Sequence, residues 1–267
     1  MIDGICIGDI SIDCRDPART RAFYAALTGW RQEIRWDCPA LIAENSLVIL
    51  FMPCDFPYRP PVWPERLFRQ QKQMHLDFTV DHFPAATEQA LRLGAVKPRR
   101  QYGDGRSITL LDPEGHPFCL GQRRTEKSEF DLYYEQRGYG AIPTPSINID
   151  CQNTKKMGVL REFYAQMTGW DQEFHFTALV AENRMVVHFM RSDFLYSPPV
   201  WPERPGRQQK QMHFNFGVDD LPTAVEEAIR LGAAKPKEQY GGEQYVTLLD
   251  PVGHPFCLCA KEAGETV

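Results

Sequence analysis

The segment PPVWPER occurs at residues 60–66 and again at 198–204, and each copy runs on into RQQKQMH, at 69–75 and 207–213. The repetition extends well beyond these words. Trp63 matches Trp201, His75 matches His213, Asp112 matches Asp250 and Cys119 matches Cys257, each pair 138 positions apart. Upstream, FYAALTGW (23–30) matches FYAQMTGW (163–170), and SIDC (11–14) matches NIDC (148–151), with offsets of 140 and 137. Solenoid repeats run to about 20–50 residues, so this unit is a whole domain written twice. The boundaries it sets are a first copy over 1–122, a linker over 123–145 and a second copy over 146–267. A short helix is a reasonable expectation within that charged and aromatic linker.

Composition narrows the class. Of 267 residues, 43% are apolar and 24% charged, which is a globular balance. The net charge of −5 gives nucleic acid no electrostatic pull. No run of 18 apolar residues is present, so no membrane span is expected. The opening MIDGICIGDISID is interrupted by Asp3, Asp9 and Asp13 and does not read as a signal peptide. Eight cysteines without such a signal read as reduced thiols of a cytoplasmic chain.

Within a copy the pattern alternates between strand and helix. CIGDISIDC has the period of a half-buried strand. Asp16–Pro17 then offers an N-cap followed by proline at N1, and Gly29 stands where a helix ends. Three strand-like pieces follow, QEIRW, ALIAE and LVILFM, and after the Pro–Trp–Pro segment comes MHLDFTV. The second helix is clearest in the second copy, where Leu221, Ala224, Val225, Ala228 and Ile229 fall on one face and Gly232 closes it. VKPRRQY, SITLLD and PFCLG read as the last strands, with DPEG (112–115) as a type I turn between the final two. Each copy is therefore βαβββ twice, four modules in all. The fold class is α+β, with paired half-sheets that can enclose a cleft.

These words resemble the vicinal oxygen chelate superfamily, which includes glyoxalase I, extradiol dioxygenases and bleomycin-resistance proteins, and within it the glyoxalase-like domains. The resemblance is carried by DPARTRAFYAALTGW, QMHLDFTVD, ALRLGA and LLDPEGHPFCL in the first copy. In the second it is carried by LREFYAQMTGW, QMHFNFGVDD, AIRLGA and LLDPVGHPFCL. It implies two tandem glyoxalase/bleomycin-resistance-like domains and leaves the reaction open, because one fold hosts many chemistries.

Metal-using members carry ligands on the first, fourth, fifth and eighth strands, usually two His and one or two Glu. Carried over copy by copy, the resemblance yields Asp9, His75 and Cys119 in the first copy, with Leu50 at the fourth-strand position. In the second it yields His188, His213 and Cys257, with Ser146 on the first strand. Mixed O, N and S donors can hold zinc, so a divalent metal is possible. The competing reading takes the cysteines as small buried hydrophobes and the histidines as held by hydrogen bonds, and on that reading no cofactor is expected. Glu65 and Glu203, in the Pro–Trp–Pro segments, are the acid/base candidates; solvated loop carboxylates are the plainer alternative.

Pockets for small molecules are mostly apolar and aromatic with a few polar anchors. The doubled aromatics Tyr58/Tyr196, Trp63/Trp201 and Tyr102/Tyr240 join His75, Cys119, His213 and Cys257 as candidate ligand-binding residues. Trp63 and Trp201 can equally plug a seam between half-sheets, while Trp30 and Trp170 read as core. Three functions follow: a metal-independent small-molecule binder, the favoured one; a metal-dependent lyase, isomerase or dioxygenase; and a structural tandem pair with one degenerate site. The duplication can supply an internal pseudo-dimer within a monomer or homodimer.

Overall fold

The computed structural model describes residues 1–54, 57–66, 68–101, 105–123, 145–172, 178–192 and 195–261. The linker expected to hold a short helix lies almost entirely outside these, as does Tyr102.

The first copy begins with β1 (Cys6–Cys14), α1 (Pro17–Thr28), β2 (Arg31–Arg35), β3 (Cys38–Ile42) and β4 (Val48–Pro53). Its second half is β5 (Met74–Val80), α2 (Phe83–Arg92), β6 (Ser107–Leu111) and β7 (Pro117–Gln122). The second copy repeats this as β8 (Ser146–Cys151), α3 (Thr154–Thr168), β9 (Asp171–Gln172), β10 (Ala178–Val180) and β11 (Val186–Arg191). It finishes with β12 (Met212–Val218), α4 (Leu221–Arg230), β13 (Tyr245–Leu249) and β14 (Pro255–Ala260). The expected α+β class and βαβββ modules are present, with one reduction. VKPRRQY contributes only a bridge, Val96 to Leu111, matched by Ala234 to Leu249 in the second copy.

Local chemistry explains the helix boundaries. The Asp16 carboxylate accepts the Arg19 N–H at 3.0 Å, Pro17 opens the helix, and Gly29 at φ 74° donates its N–H to the Ala25 carbonyl. Such an N-cap contributes about 1 kcal/mol, and the left-handed glycine satisfies a carbonyl the helix leaves open. In α4 the residues Leu221, Ala224, Val225 and Ala228 are buried as the period predicts, while Ile229 is exposed. Gly115 donates to the Asp112 carbonyl, closing the expected turn.

The strands form two seven-stranded sheets. The first runs β13-β14-β12-β1-β4-β3-β2 and the second β6-β7-β5-β8-β11-β10-β9. Each sheet thus joins the first module of one copy to the second module of the other, through antiparallel β1–β12 and β5–β8. The aromatic cores follow the copies. Tyr24 packs within about 6 Å of Phe51, Phe78 and Phe118, so α1 touches both sheets. Tyr164 does the same with Phe189, Phe214, Phe216 and Phe256. Trp30 and Trp170 are buried in these cores, as expected.

The doubled RQQKQMH word lies where the copies meet. Gln70 donates to the Gln209 carbonyl and accepts the Gln209 N–H, at 2.9 and 3.0 Å. Gln71 and Gln209 each reach into the other copy's preceding loop, donating to the Leu195 and Pro57 carbonyls and accepting from the Ser197 and Arg59 N–H groups. Two buried ion pairs cross the same seam, Lys72 with Asp150 and Lys210 with Asp13. Trp63 lies 5.5 Å from the Lys72 ammonium and Trp201 5.6 Å from that of Lys210, within the range of cation–π attraction.

Candidate functional site

Strand alternation puts polar residues on the sheet faces turned away from the aromatic cores. In MHLDFTV the core takes Met74, Leu76 and Phe78, so His75 and Asp77 share the opposite face. In MHFNFGV the same alternation pairs His213 with Asn215, since Met212, Phe214 and Phe216 are core. Register then lines these up across neighbouring strands.

On the first sheet one row is His213, Ser11 and Leu50, and the next is Thr247, Cys257, Asn215 and Asp9. On the second sheet the first row is His75, Asn148 and His188, and the next is Thr109, Cys119, Asp77 and Ser146. The copy-by-copy trios are therefore not the ones the fold assembles. Asp9 is on the other sheet from His75 and Cys119, beside His213 and Cys257. His188 lies with His75 rather than with His213. The cause is the exchange of modules: the first and fifth strands of one copy belong to different sheets.

The first-sheet cluster is built around Asp9. Asn215 Nδ2 donates to Asp9 Oδ1 at 2.6 Å and to Ser11 Oγ at 3.0 Å, and Ser11 Oγ donates to Asp9 Oδ1 at 3.3 Å. Burial pushes the Asp9 carboxyl up to about 7, against the lowering pull of the Asn215 and Ser11 hydrogen bonds. Burial holds the His213 imidazolium well below its usual range, assisted by the Lys210 charge. Its Nδ1 is buried with no hydrogen-bond partner among the described residues. The Cys257 thiol, pushed up to about 11 by burial, lies 3.4 Å from Thr247 Oγ1.

On the second sheet the acid and the amide have changed strands. Asn148 Nδ2, on β8, donates to Asp77 Oδ2, on β5, at 2.7 Å, and His75 Nε2 lies 3.3 Å from Asp77 Oδ1. Burial raises Asp77 to about 6, while Asn148, Cys119 and Lys72 pull it down. Burial, then Lys72, then His188 keep His75 neutral, and burial alone lowers His188 to about 4. Cys119 is pushed up to about 12 by burial and by the Asp77 charge. His75 Nδ1 also lacks a partner among the described residues.

The remaining candidates are dispersed. Tyr58 and Tyr196 are buried and contact His116 and His254, the former at 2.9 Å. Those histidines sit in the turns held by Asp112 and Asp250, which also accept the Tyr24 and Tyr164 hydroxyls. Tyr58 and Tyr196 are thus engaged in a structural relay. Tyr240 is exposed and edges onto Trp201 at 5.9 Å between ring centroids. Glu65 accepts from Ser192 Oγ at 3.3 Å and acts electrostatically on Lys72, as Glu203 does on Lys210. Sequence reading missed Asp77, Asn148 and Asn215, although the period-two alternation of their strands places them beside the histidines it did find.

A sequence model of the glyoxalase-like domain matches residues 9–121 and again 146–259. The chain belongs to the glyoxalase-like domain family, in two copies. It is a member of the vicinal oxygen chelate superfamily in fold and tandem arrangement. Among curated proteins none is significantly similar in sequence. Among solved structures it is similar to glyoxalase I from Zea mays, at 14% identity over 96% of this chain and 92% of that one, with a TM-score of 0.58. A mutant of the same Zea mays enzyme gives 14% identity over 96% and 94%, with a TM-score of 0.61. A putative dioxygenase from Bacillus subtilis gives 12% over 97% and 86%, with a TM-score of 0.57. At these identities the likeness is one of fold.

The two sheets would fit a metal ion unequally. On the second, donor atoms of His75, Asp77 and Cys119 all lie within 4.8 Å of one another. On the first, the amide of Asn215 stands at the place of Asp77, and no such trio forms among the described residues. The expectation of no cofactor is thus not supported, while a possible divalent metal is compatible with the second-sheet trio. No helix among the described residues is long and apolar enough to cross a membrane.

Proposed function

We propose that this glyoxalase-like protein binds a small molecule, with an aromatic or amphipathic body and hydrogen-bonding groups, against the polar face of each sheet. On the first sheet the binding needs no metal. The observation that carries this reading is the pair of neutral histidines, half-buried His213 and buried His75, whose buried Nδ1 atoms have no partner among the described residues. A buried polar atom without a partner costs about 1–3 kcal/mol, and a bound ligand can repay it. Beside each histidine a carboxyl–amide pair and a thiol offer both donors and acceptors. Trp201 stands over the Lys210 ammonium, whose charge acts on His213, and Tyr240 edges onto its ring. Eight free thiols support a reducing, cytoplasmic setting, and the reciprocal glutamine seam supports a pseudo-dimer completed within one chain.

The test is a tryptophan-emission titration of chelator-treated protein with phenols, small aromatic acids and aromatic amines. Saturable ligands are expected to weaken at least about tenfold, or 1.4 kcal/mol, in His213→Ala or His75→Ala. Saturable binding indifferent to both substitutions would sink the reading. A second reading, metal-dependent chemistry, is favoured on the second sheet alone by the His75–Asp77–Cys119 trio. There a cation would polarise vicinal substrate oxygens as a Lewis acid, with Asn148 orienting Asp77 and Lys72 holding His75 neutral.

A further inference from the structure

We propose that the buried Asp250, His254 and Tyr196 of the second copy, with Asp112, His116 and Tyr58 as their counterparts in the first, are positioning residues for the two polar faces. Each relay clamps a Pro–Trp–Pro segment onto an Asp–Pro–x–Gly–His turn and so sets the tryptophan that stands over a seam lysine. The consequence for binding rests on the small-molecule reading proposed above; the clamp itself does not.

The contacts start in the turn. Asp250 Oδ1 accepts the N–H groups of Val252, Gly253 and His254 at 2.8, 2.8 and 3.0 Å. Asp250 Oδ2 meets His254 Nδ1 at 3.1 Å and accepts the Tyr164 hydroxyl at 3.3 Å. A carboxylate only accepts, so Nδ1 carries the proton and Nε2 is left to accept the Tyr196 hydroxyl. The turn thereby dictates where Tyr196 sits. A second contact follows two residues on. A Cβ on Gly253, at φ 103°, would lie 3.0 Å from Pro198 Cβ, and one on Gly115, at φ 90°, 2.6 Å from Pro60 Cβ. Glycine thus lets the first proline of PPVWPER rest on the turn backbone. From Pro198 the path to the seam is short. Val200 donates its N–H to the Gln208 carbonyl at 2.9 Å, and Trp201 then stands 5.6 Å from the Lys210 ammonium. Lys210 pairs with Asp13, and its charge acts on His213. The first copy repeats the route from Tyr58 through Pro60 and Val62 to Trp63 and Lys72. Its relay is less complete, because His116 Nδ1 lies 3.4 Å from Asp112 Oδ2 without a hydrogen bond.

The experiment is fluorine NMR of the full chain labelled with fluorotryptophan, the Trp201 and Trp63 signals being assigned by their loss in Trp201→Phe and Trp63→Phe. Tyr196→Phe deletes one hydroxyl and is expected to shift or broaden the Trp201 signal while those of Trp30 and Trp170 stay in place. Tyr58→Phe is expected to do the same to Trp63, less strongly. Tyr164→Phe, which takes the other hydroxyl from the same carboxylate, is expected to leave Trp201 unmoved. Phenol and benzoate, titrated separately against these signals, are expected to bind about two- to tenfold more weakly in Tyr196→Phe, as loss of one hydrogen bond implies. Unfolding curves establish that each variant is folded; should Tyr196→Phe not fold, Pro198→Ala, which removes the second contact, carries the test. An unmoved Trp201 signal in folded Tyr196→Phe, an equal movement of Trp30 and Trp170, or a matching movement in Tyr164→Phe overturns the clamp. Unchanged probe affinity beside a moved signal overturns its role in binding. If neither probe saturates the unsubstituted protein, that result counts against the proposed function, and the Trp201 signal alone decides the clamp.

Discussion

The two sheets carry the same framework and different chemistry. Both present a neutral histidine, a thiol held by a threonine, and a lysine–aspartate pair at the seam between the copies. They differ at four equivalent positions: Asp9 of the first sheet is replaced by Ser146 on the second, Ser11 by Asn148, Asn215 by Asp77, and Leu50 by His188. Each sheet keeps one carboxyl and one amide, hydrogen-bonded to each other, but on exchanged strands. Moving the acid by one strand, roughly 4.8 Å, decides whether it meets the thiol and the imidazole. A duplicated domain can thus acquire two distinct sites without altering its scaffold.

The largest expected effect tests what the sheets share. Lys72→Met and Lys210→Met each remove the ammonium from a buried aspartate, and breaking a buried pair in this way costs about 3–5 kcal/mol. Denaturant unfolding is expected to show similar losses for the two. A loss confined to one would break the equivalence of the halves. Adding Asp150→Leu to Lys72→Met is expected to recover much of the stability, because no uncompensated charge is left.

The next effect separates the sheets. Asp9 is raised by folding to about 7, so its contribution to stability falls as pH rises from about 4 through 7. Asp9→Asn removes that penalty and is expected to stabilise the protein at pH 8 by up to about 4 kcal/mol, with little change near pH 4. Unfolding measured at both pH values checks this. An equal gain at both would mean that the carboxyl does not titrate as described.

His188 acts on the acid side. Burial lowers it to about 4, so the stability associated with its neutral form is lost as pH falls from 6.5 through 4. His188→Leu, which copies Leu50 of the first sheet, is expected to remove up to about 3 kcal/mol of acid sensitivity. Acid-unfolding midpoints of the two proteins would show it. The smallest effects concern metal. Asn148→Ala is expected to weaken cobalt(II) binding at the second-sheet trio about 10–100-fold, while Asn215→Asp is expected to confer a weak second equivalent on the first sheet. Dialysis that finds no second equivalent would mean that the position of the acid is insufficient by itself.

Much of the fold was legible from residues. Asp16, Pro17 and Gly29 marked α1, the period of Leu221 to Ala228 marked α4, and the repeated words revealed the duplication. These are local signals, set by capping, backbone conformation and period. The VKPRRQY strand is reduced because its pairing depends on one distant bridge rather than on its own pattern. The site was half legible: His75, His213, Cys119, Cys257, Asp9 and His188 stand out in the sequence, but sorted by copy.

The sequence by itself determined the two copies, the modules, the aromatic cores and the faces on which the histidines lie, because burial and alternation are written residue by residue. Only the tertiary structure decided which modules share a sheet, and therefore that Asp9 lies on the sheet of His213 and His188 on that of His75. Backbone hydrogen bonds between strands are chemically alike at every residue. Strand partnership therefore leaves little local trace, and it is settled by how whole modules pack.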